Sequence, residues 1–458
     1  MGAGRLATLP PVRAVPAEQV RAALVGTPTV VVLDDDPTGT QTVRDLPVLT
    51  RWAADDVEWA LAQATPAFFV LTNTRSLGPD DAAARDREVV RTCLEAARRR
   101  GVELIFASRS DSTLRGHFPL ETDVIAQEAG SPDAVVLVPA YTDAGRITLD
   151  GVHWLREGAD GTDLVPVAES EFATDATFGY RSSRLADWVA EKSGGAVPAA
   201  DVAEVRIEQL RAGRPTLPAA RVIAVDTVVD DDLRAAVLAI LAAERDGARF
   251  VYRVGPSFVR ARAGQPEQPP IADAALRDAV GRGPGLVVVG SHVGRTRRQL
   301  ERLDARRDLA RVEIDVPTVL DDAARDAHLE RAVDELAASL GRSTTVLATS
   351  RTLVTGRDEA ESLDIARRIS AALTAVTARA VAAHPPAWVL AKGGITSSDV
   401  ATVSLRADRA WVRGSLLPGI VSLWAPTSGP PLVVFAGNVG GDDALADVVD
   451  RLEAAACA

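Results

Sequence analysis

Most of the residues that could do chemistry in this chain lie in short polar segments that directly follow apolar, β-branched runs. The first segment contains three adjacent carboxylates, Asp34, Asp35 and Asp36, after the run Thr29–Leu33. Adjacent carboxylates repel one another, so a purely structural role would be costly. Their position after a predicted strand favours binding of a cation, a substrate hydroxyl or a helix N-terminus.

Three further segments of the first half repeat this arrangement. Segment 72–76 contains Arg75, whose planar guanidinium suits the carboxylate of a small acid. Segment 108–117 has a density of hydroxyl and charged groups that is poor for a core and good for a polyhydroxy anion. The candidate ligands in it are Arg109, Ser110, Asp111 and Ser112. Segment 138–146 ends on Arg146, which could contact an anion or belong to a structural loop.

Glycine-rich segments follow predicted strands in the second half. Lys392 comes after the run Trp388–Ala391 and precedes Gly393, Gly394 and Ile395, and hydroxyl residues that can cap a helix come next. Backbone amides, glycines and a lysine together form a plausible cradle for phosphate. No GxxxxGK[ST] motif occurs, so a standard P-loop is excluded.

Two weaker signals accompany the lysine segment. Gly437 and Asn438 are predicted to form a turn after Leu432–Phe435, and Ser291 lies between a predicted strand and a predicted helix. Small residues at such positions let backbone amides approach a phosphate. Lysine and asparagine each occur only twice in 458 residues, so Lys392 and Asn438 are candidates for positions where no substitute works.

The elements that would position these segments alternate between apolar runs and amphipathic helices. This order predicts an α/β fold of two domains, with mainly parallel sheets flanked by helices and an active site in the interdomain cleft. The candidate strands are Thr29–Leu33, Ala67–Leu71, Glu103–Ala107, Ala134–Val138, Arg221–Val225 and Arg249–Val254, then Leu286–Val289, Val312–Val316, Thr345–Ala348, Trp388–Ala391 and Leu432–Phe435.

Composition suggests where the domains divide. Segment 261–284 is rich in Gly, Pro and Gln and is predicted to link an N-terminal domain, 1–260, to a C-terminal domain, 285–458. Segment 192–218 is predicted to be a flexible surface excursion of the first domain.

Charge and cysteine content exclude several classes of protein. The net charge of −12 argues against nucleic-acid binding, and two distant cysteines argue against a disulfide framework or a structural zinc site. No apolar run approaches the roughly 20 residues that cross a bilayer, and no signal peptide is recognisable. We therefore expect a cytoplasmic protein without nucleic-acid or membrane partners. The sequence leaves a homo-oligomer open.

Four ordered motifs make the chain resemble the four-carbon acid sugar kinase family, from about residue 30 to residue 441. The first motif spans Asp35 to Gly39 and consists of an acidic pair followed by Pro-Thr-Gly. The other three are DSTLRG at 111–116, KGGIT at 392–396 and GNVG at 437–440. The chain departs from the family where it has Arg109 in place of a common lysine, Pro37 in place of Phe or Leu, and the additional Asp34 and Gln41.

The resemblance implies an ATP-dependent kinase that phosphorylates the terminal hydroxyl of a small sugar acid such as threonate, erythronate or 3-oxo-tetronate. It implies a substrate site that contains Asp35, Asp36, Arg75 and the segment Arg109–Ser112. It implies an ATP site at Ser291, Lys392–Ile395, Gly437 and Asn438. We expect Mg²⁺ to accompany ATP, and either Asp35 or Asp111 to accept the proton of the attacking hydroxyl.

Two other interpretations remain at this point. The spacing Asp34-x-Asp36-x-Thr38 fits a haloacid dehalogenase-type phosphatase in which Asp34 is the nucleophile. Phosphatases of that class also use a lysine from a later sequence motif. The chain lacks a convincing candidate for it, because Lys192 lies in a Gly-rich, loop-like stretch. The second alternative is a non-catalytic sensor of sugar acids that retained the binding site.

Overall fold

The computed structural model describes residues 2–157, 161–213, 215–290, 294–350, 354, 356–357, 359–437 and 439–457. The chain divides into two compact units, residues 1–268 and 269–458. This division lies inside the segment that composition marks as a linker, and helix Asp273–Ala279 occupies part of that segment.

The first unit is an eight-stranded, parallel sheet with an added three-stranded sheet. The strands of the unit are β1 Thr29–Asp34, β2 Pro47–Leu49, β3 Ala67–Leu71, β4 Leu104–Arg109, β5 Ala134–Val138, β6 Arg146–Leu149, β7 Val152–Glu157, β8 Asp163–Pro166, β9 Val202–Val205, β10 Val222–Val225 and β11 Phe250–Val254. The large sheet has the order β2-β3-β1-β4-β11-β5-β10-β9, and β6-β7-β8 form an antiparallel sheet.

Helices flank the sheets of the first unit. They are α1 Gly2–Ala7, α2 Ala17–Ala23, α3 Ala54–Ala62, α4 Pro79–Arg100, α5 Leu120–Ala129, α6 Leu185–Lys192, α7 Ile207–Ala212, α8 Asp230–Arg245 and α9 Pro256–Arg262. The strands are apolar on both faces, as parallel strands between helices must be. Val31, Phe68 and Phe106 pack with Val89 and Val90 of α4 in one of the cores.

The second unit has its own sheet, in the order β13-β14-β12-β15-β18-β17-β16. The strands are β12 Leu286–Val289, β13 Ala310–Ile314, β14 Thr345–Thr349, β15 Val389–Lys392, β16 Arg409–Leu417, β17 Val421–Pro426 and β18 Leu432–Phe435. The first five strands of that order run parallel, and the hairpin of β16 and β17 adds antiparallel pairs.

The helices of the second unit are α10 Asp273–Ala279, α11 Gly294–Arg306, α12 Val316–Leu320, α13 Arg325–Leu340, α14 Glu359–Ala383, α15 Gly394–Asp399 and α16 Ala444–Cys457. Thus the predicted α/β class with two mainly parallel sheets is confirmed. None of the helices in the described ranges is long and apolar enough to span a membrane.

Two local predictions are wrong. Segment 192–218 is not a flexible excursion, because it contains the edge strand β9, paired to β10, and the helix α7. The strand predicted at 312–316 instead spans Ala310–Ile314, because Asp315 caps α12 by accepting a hydrogen bond from the Thr318 amide at 3.0 Å.

Candidate active site

The polar segments of the first unit meet because their parallel strands end in register. Asp34 at the end of β1 is aligned with Leu71 of β3 on one side and with Arg109 of β4 on the other. Val254 of β11 extends this row beside Arg109. The segments that begin at residues 35, 72 and 110 therefore leave the sheet at one edge. Ligands bind at this edge of α/β sheets, where strand order reverses, as it does around β1.

Asp34 and Arg109 form a buried ion pair at the base of this edge. The exposed fractions of their side chains are only 2% and 3%, and the Nε and Nη2 atoms of Arg109 both contact Asp34 Oδ1. Gly39 covers the pair, because a Cβ atom there would overlap both partners. Burial raises the pKa of Asp34 to about 7, against the attraction of Arg109. This enclosure argues against Asp34 as a nucleophile of the phosphatase type.

Asp35 is held by a bidentate contact with Arg75. The guanidinium donates from Nε to Oδ2 at 3.0 Å and from Nη2 to Oδ1 at 2.6 Å. Arg109 Nη2 lies 3.3 Å from Asp35 Oδ1. Burial nevertheless outweighs the attraction of both arginines, so the pKa of Asp35 is raised. Asp35 is therefore more basic than an ordinary aspartate.

Asp36 has a different local role from its two neighbours. It caps the turn Pro37–Thr40 by accepting a hydrogen bond from the Thr38 amide at 2.8 Å. Burial would raise its pKa, but Arg75, Arg109 and Thr38 outweigh burial and lower it. Asp36 is thus an ionised cap that still faces Arg75, whose Nη1 atom lies 3.4 Å from Oδ2.

The next segment carries the second candidate base. Asp111 accepts hydrogen bonds from Thr113 and from Arg115 Nε, the latter at 2.6 Å. Burial opposes ionisation, but Arg75, Arg115 and Thr113 together hold the pKa of Asp111 well below its ordinary value. Asp111 is more exposed than Asp35, with 13% of its side chain accessible against 2%. Exposure therefore favours Asp111 as the base, and basicity favours Asp35.

The two candidate serines of this segment are buried and held through their backbones. The Ser110 amide donates to the Val254 carbonyl at 3.0 Å. The Ser112 carbonyl accepts from His153 Nε2 at 2.8 Å, and burial lowers the pKa of His153 to about 4, so the ring is neutral at pH 7. The backbone of the segment is thereby anchored to β11 and to β7.

Glu121 and Arg253 were missed by the sequence analysis. Glu121 accepts hydrogen bonds from Thr74 and Ser108, each at 2.7 Å, and forms a buried ion pair with Arg253. It thus joins the segment that carries Arg75 to the segment that carries Arg109. Arg253 could have been noticed as a charged residue near the end of a predicted strand. Glu121 gives no such signal, since acids are common in the first turn of a helix.

The second unit brings its glycine-rich segments together in the same way. Val289 of β12, Lys392 of β15 and Phe435 of β18 are aligned in neighbouring parallel strands. The residues that follow them, including Gly290, Gly393 and Ala436, therefore lie at one edge of the sheet. Strand order reverses between β12 and β15, so this edge is also a switch point. Ser291 and Asn438 lie outside the described residues.

Lys392 is a fully buried cation in this unit. Its Nζ atom donates to the Ala436 carbonyl at 2.6 Å and lies 3.8 Å from the centre of the Phe435 ring. Burial, with a smaller repulsion from Arg295, lowers the pKa of Lys392 to about 7. It forms no ion pair with any carboxylate in the described part of the chain. A buried cation with this environment is chemically suited to an anionic ligand.

The backbone around Lys392 is closely packed and glycine-dependent. Gly393 has a φ angle of 119°, which favours glycine, and its amide donates to the Phe435 carbonyl at 2.8 Å. A Cβ atom at Gly290 would lie 2.6 Å from Thr396 Oγ1. Gly394 begins α15, and the side chain of Ile395 is largely exposed.

The turn that contains Gly437 is held by helix α11. Thr296 Oγ1 donates to the Gly437 carbonyl at 3.1 Å. The buried amide of Gln299 donates to the carbonyls of Val439 and Gly441 at 3.0 and 2.8 Å. Gln299 is a further residue that the sequence analysis missed. It could have been found as an amide on the apolar stripe of α11, which also contains Leu300 and Leu303.

Neither edge contains an evident protein-only metal site. The described residues contain no cluster of three or more His, Cys, Asp or Glu side chains arranged to hold a metal ion. Mg²⁺ in phosphoryl-transfer sites is commonly held by substrate phosphates, water and one or two carboxylates. The residues present are therefore compatible with a metal that arrives with a nucleotide.

Two family models match the chain. One, described as a sugar-binding N-terminal domain, matches residues 30–262, and the other, described as a nucleotide-binding C-terminal domain, matches residues 286–445. The first match lies within the first unit and the second match lies within the second unit.

Curated relatives that resemble the chain include three kinases. A D-threonate kinase of Bordetella bronchiseptica is 29% identical over 92% of this chain and 96% of its own length. A D-threonate kinase of Salmonella typhimurium is 28% identical over 76% of this chain and 80% of its own length. A D-erythronate kinase of Heliobacterium modesticaldum is 26% identical over 58% of this chain, and the match spans only 57% of that relative.

Two solved structures share the fold. A protein of Salmonella typhimurium titled a putative tRNA synthase has a TM-score of 0.65 and 16% identity, with 92% of this chain and 98% of the other covered. A Haemophilus influenzae protein from a family titled a domain of unknown function has a TM-score of 0.60 and 16% identity, with 92% and 100% covered.

Proposed function

This chain belongs to the four-carbon acid sugar kinase family, and we propose that it transfers the γ-phosphoryl group of ATP to the terminal hydroxyl of a small sugar acid. The observation that carries the proposal is the pair of strand-end sites, one rich in carboxylates and guanidiniums and one built around the buried Lys392. The named activities of the three relatives support a four-carbon acid as substrate. D-threonate and D-erythronate are the first candidates.

The second unit would hold ATP. Lys392 lacks an anionic partner in the described structure, and a nucleotide phosphate would supply one. Gly393, Gly394 and the turn at Gly437 would let the backbone approach the phosphates, with Ile395 at their side. ATP supplies the phosphoryl group, and Mg²⁺ bound to its phosphates would neutralise charge. Ser291 and Asn438 stay predictions as further contacts.

The first unit would bind the acid and activate its hydroxyl. We assign the base to Asp35, because Arg75 fixes its carboxylate by two hydrogen bonds and burial raises its pKa, whereas the pKa of Asp111 is lowered. Arg75 orients the Asp35 carboxylate by its bidentate contact and keeps an exposed edge for the ligand, since 19% of its side chain is accessible. Asp35 would accept the proton as the substrate oxygen attacks phosphorus.

The other candidate ligands surround this pair. Asp111, Ser110 and Ser112 would bind substrate hydroxyl groups, and Asp36 would help to hold Arg75. Arg109 would act indirectly, since its guanidinium is buried against Asp34. This arrangement positions charged groups around a polyhydroxy acid, which is the main requirement of phosphoryl-transfer catalysis.

The proposal is tested by measuring ADP release with Mg-ATP and a panel of acids: D- and L-threonate, D- and L-erythronate and 3-oxo-tetronate. We expect turnover on at least one acid, and a fall of about 100-fold or more in both Asp35→Asn and Lys392→Met. Release of inorganic phosphate from phosphorylated acids without any nucleotide would instead support a phosphatase. Acid binding without ADP formation would support the sensor.

A further inference from the structure

Three arginines of the candidate substrate site are already paired with protein carboxylates. Arg109 is enclosed with Asp34, and the fork of Arg75 is bound to Asp35. Arg115 of the neighbouring loop contacts Asp111 and Asp175. A sugar acid brings one more negative charge to this edge, and these guanidiniums are largely neutralised before it arrives.

Arg146 differs from these arginines in its contacts. Within the described residues, its one side-chain hydrogen bond runs from Nη1 to the Ala144 carbonyl at 3.1 Å. The Nε atom is buried without a hydrogen-bond partner, and no carboxylate forms an ion pair with Arg146 in the described ranges. The guanidinium carbon lies over two aromatic rings, 5.7 Å from the Tyr141 centroid and 6.0 Å from the Phe172 centroid.

The position of Arg146 connects it to the candidate substrate site. It starts β6, and its side chain shares a face of the small sheet with Thr148 and His153, because residues two apart in a strand point the same way. His153 on this face donates to the carbonyl of Ser112, a candidate ligand of the substrate, at 2.8 Å.

Both rings beside Arg146 are linked to segments of the candidate substrate site. The Tyr141 side chain is hydrogen-bonded to Gln41, which follows the carboxylate segment. The Phe172 ring also lies 5.1 Å from the guanidinium carbon of Arg115, whose Nε atom contacts Asp111. Contacts with two rings restrict the motion of the guanidinium, which reduces the entropy lost when it binds a planar anion.

We propose that Arg146 binds the carboxylate of the acid substrate and thereby selects sugar acids over neutral polyols. This inference rests on the proposed function and adds a specificity-determining residue to it. A half-buried guanidinium without a carboxylate partner can form a charge-assisted, bidentate contact with an incoming carboxylate. A neutral polyol would leave that guanidinium unpaired and would therefore bind more weakly.

The test compares Arg146→Gln with Arg156→Gln in the full chain. Arg156 is the matched control, because it lies on the same hairpin but on the opposite face of β7, and its Nε atom is likewise buried without a partner. We expect Arg146→Gln to raise KM for the accepted acid by about 10- to 100-fold, with KM for ATP unchanged. The ratio of kcat/KM for D-threonate or D-erythronate over threitol or erythritol should fall by a similar factor.

Two further measurements keep the outcome interpretable. Arg146→Lys retains the charge and should recover part of the acid preference, which a purely packing role would not produce. Calorimetric binding of the acid to wild type and to Arg146→Gln, without ATP, does not require turnover. If wild type binds the acid without phosphorylating it, the kinase proposal fails, while weakened binding in Arg146→Gln still supports the inference. Equal acid preference in Arg146→Gln and Arg156→Gln would overturn it.

Discussion

The two strand-end sites of this protein differ in whether their buried charges have partners of opposite charge. In the first unit, Asp34 is paired with Arg109 and Asp35 with Arg75, so opposite charges compensate one another before any ligand binds. In the second unit, Lys392 is buried against a carbonyl and an aromatic ring and has no carboxylate partner in the described chain.

This difference indicates how each site would respond to its ligand. A paired network is rigid and gives a base with fixed geometry, but it has little net charge left to attract an anion. A buried, unpaired lysine is costly in the free protein and gains a partner when phosphate arrives. The first site is therefore organised for positioning, and the second for capturing charge.

The largest effect is expected when the base in the paired network is neutralised. Asp35→Asn keeps the shape of the side chain but removes the proton acceptor, so kcat should fall by about 10²- to 10⁴-fold, with KM for ATP little changed. Steady-state kinetics of Asp35→Asn and Asp111→Asn, side by side, check this assignment. A larger loss in Asp111→Asn would transfer the role of base to Asp111.

The paired network should also be essential for stability. Arg109→Ala leaves the buried Asp34 carboxylate without its partner, which is expected to lower the free energy of unfolding by about 3–5 kcal/mol. Urea denaturation followed by fluorescence measures this loss. Arg109→Lys restores a cation and should lose much less. An Arg109→Ala protein as stable as wild type would show that the pair does not stabilise the fold.

The unpaired lysine should show the reverse relation between function and stability. Lys392→Met removes the charge that would meet a phosphate, so kcat/KM for ATP should fall by about 100-fold. The same change removes a buried charge and should raise the thermal stability of the protein at pH 6. Lower stability of Lys392→Met at that pH would mean that the carbonyl and ring contacts fully compensate the burial of the lysine.

The stabilisation by Lys392→Met should depend on pH with a defined sign. The pKa of Lys392 is about 7 in the folded protein, whereas that of a solvated lysine in the unfolded chain is 10.5. The unfolded chain therefore binds more protons than the folded protein between these two pH values. Wild-type stability therefore gains from this group as pH rises through that window. The advantage of Lys392→Met should be greatest below pH 7 and should disappear near pH 10. Thermal denaturation of both proteins across this range checks the prediction.

The smallest effect is expected at Gln299, which supports the turn at Gly437 by hydrogen bonds from helix α11. Gln299→Leu removes the donors to the Val439 and Gly441 carbonyls, so KM for ATP should rise by about tenfold while KM for the acid stays unchanged. Arg298→Gln is the matched control, because its exposed side chain lies on the same helix and forms an ion pair with Asp442 at 3.0 Å. Equal kinetics in the two variants would show that the turn does not need Gln299.

The sequence allowed the fold class and the convergence of the polar segments to be predicted, because both follow from simple regularities. Apolar runs between amphipathic helices indicate parallel sheets, and residues after parallel strands meet at one edge. Asp35, Arg75 and Asp111 on one edge, and Lys392 and Gly437 on the other, were found in this way.

The pairing of charges could not be predicted from the same patterns. The sequence contains many arginines and carboxylates, and only the three-dimensional packing shows that Arg109 is enclosed with Asp34. Glu121 and Gln299 were missed because their roles depend on hydrogen bonds to segments far away in sequence, such as those at Thr74 and Val439. Strand β9 was missed because it is a short edge strand in a segment rich in turn-forming residues.

The most direct test of the account is to identify the product of the purified protein with Mg-ATP and D-threonate or D-erythronate. Mass spectrometry and phosphorus NMR would show whether the acid gains a phosphoryl group and at which hydroxyl. The account predicts a phosphorylated acid, with the phosphate on the terminal hydroxyl, and one ADP formed for each acid consumed. ADP formation without a phosphorylated acid, or unchanged acid and ATP for both substrates, would contradict it.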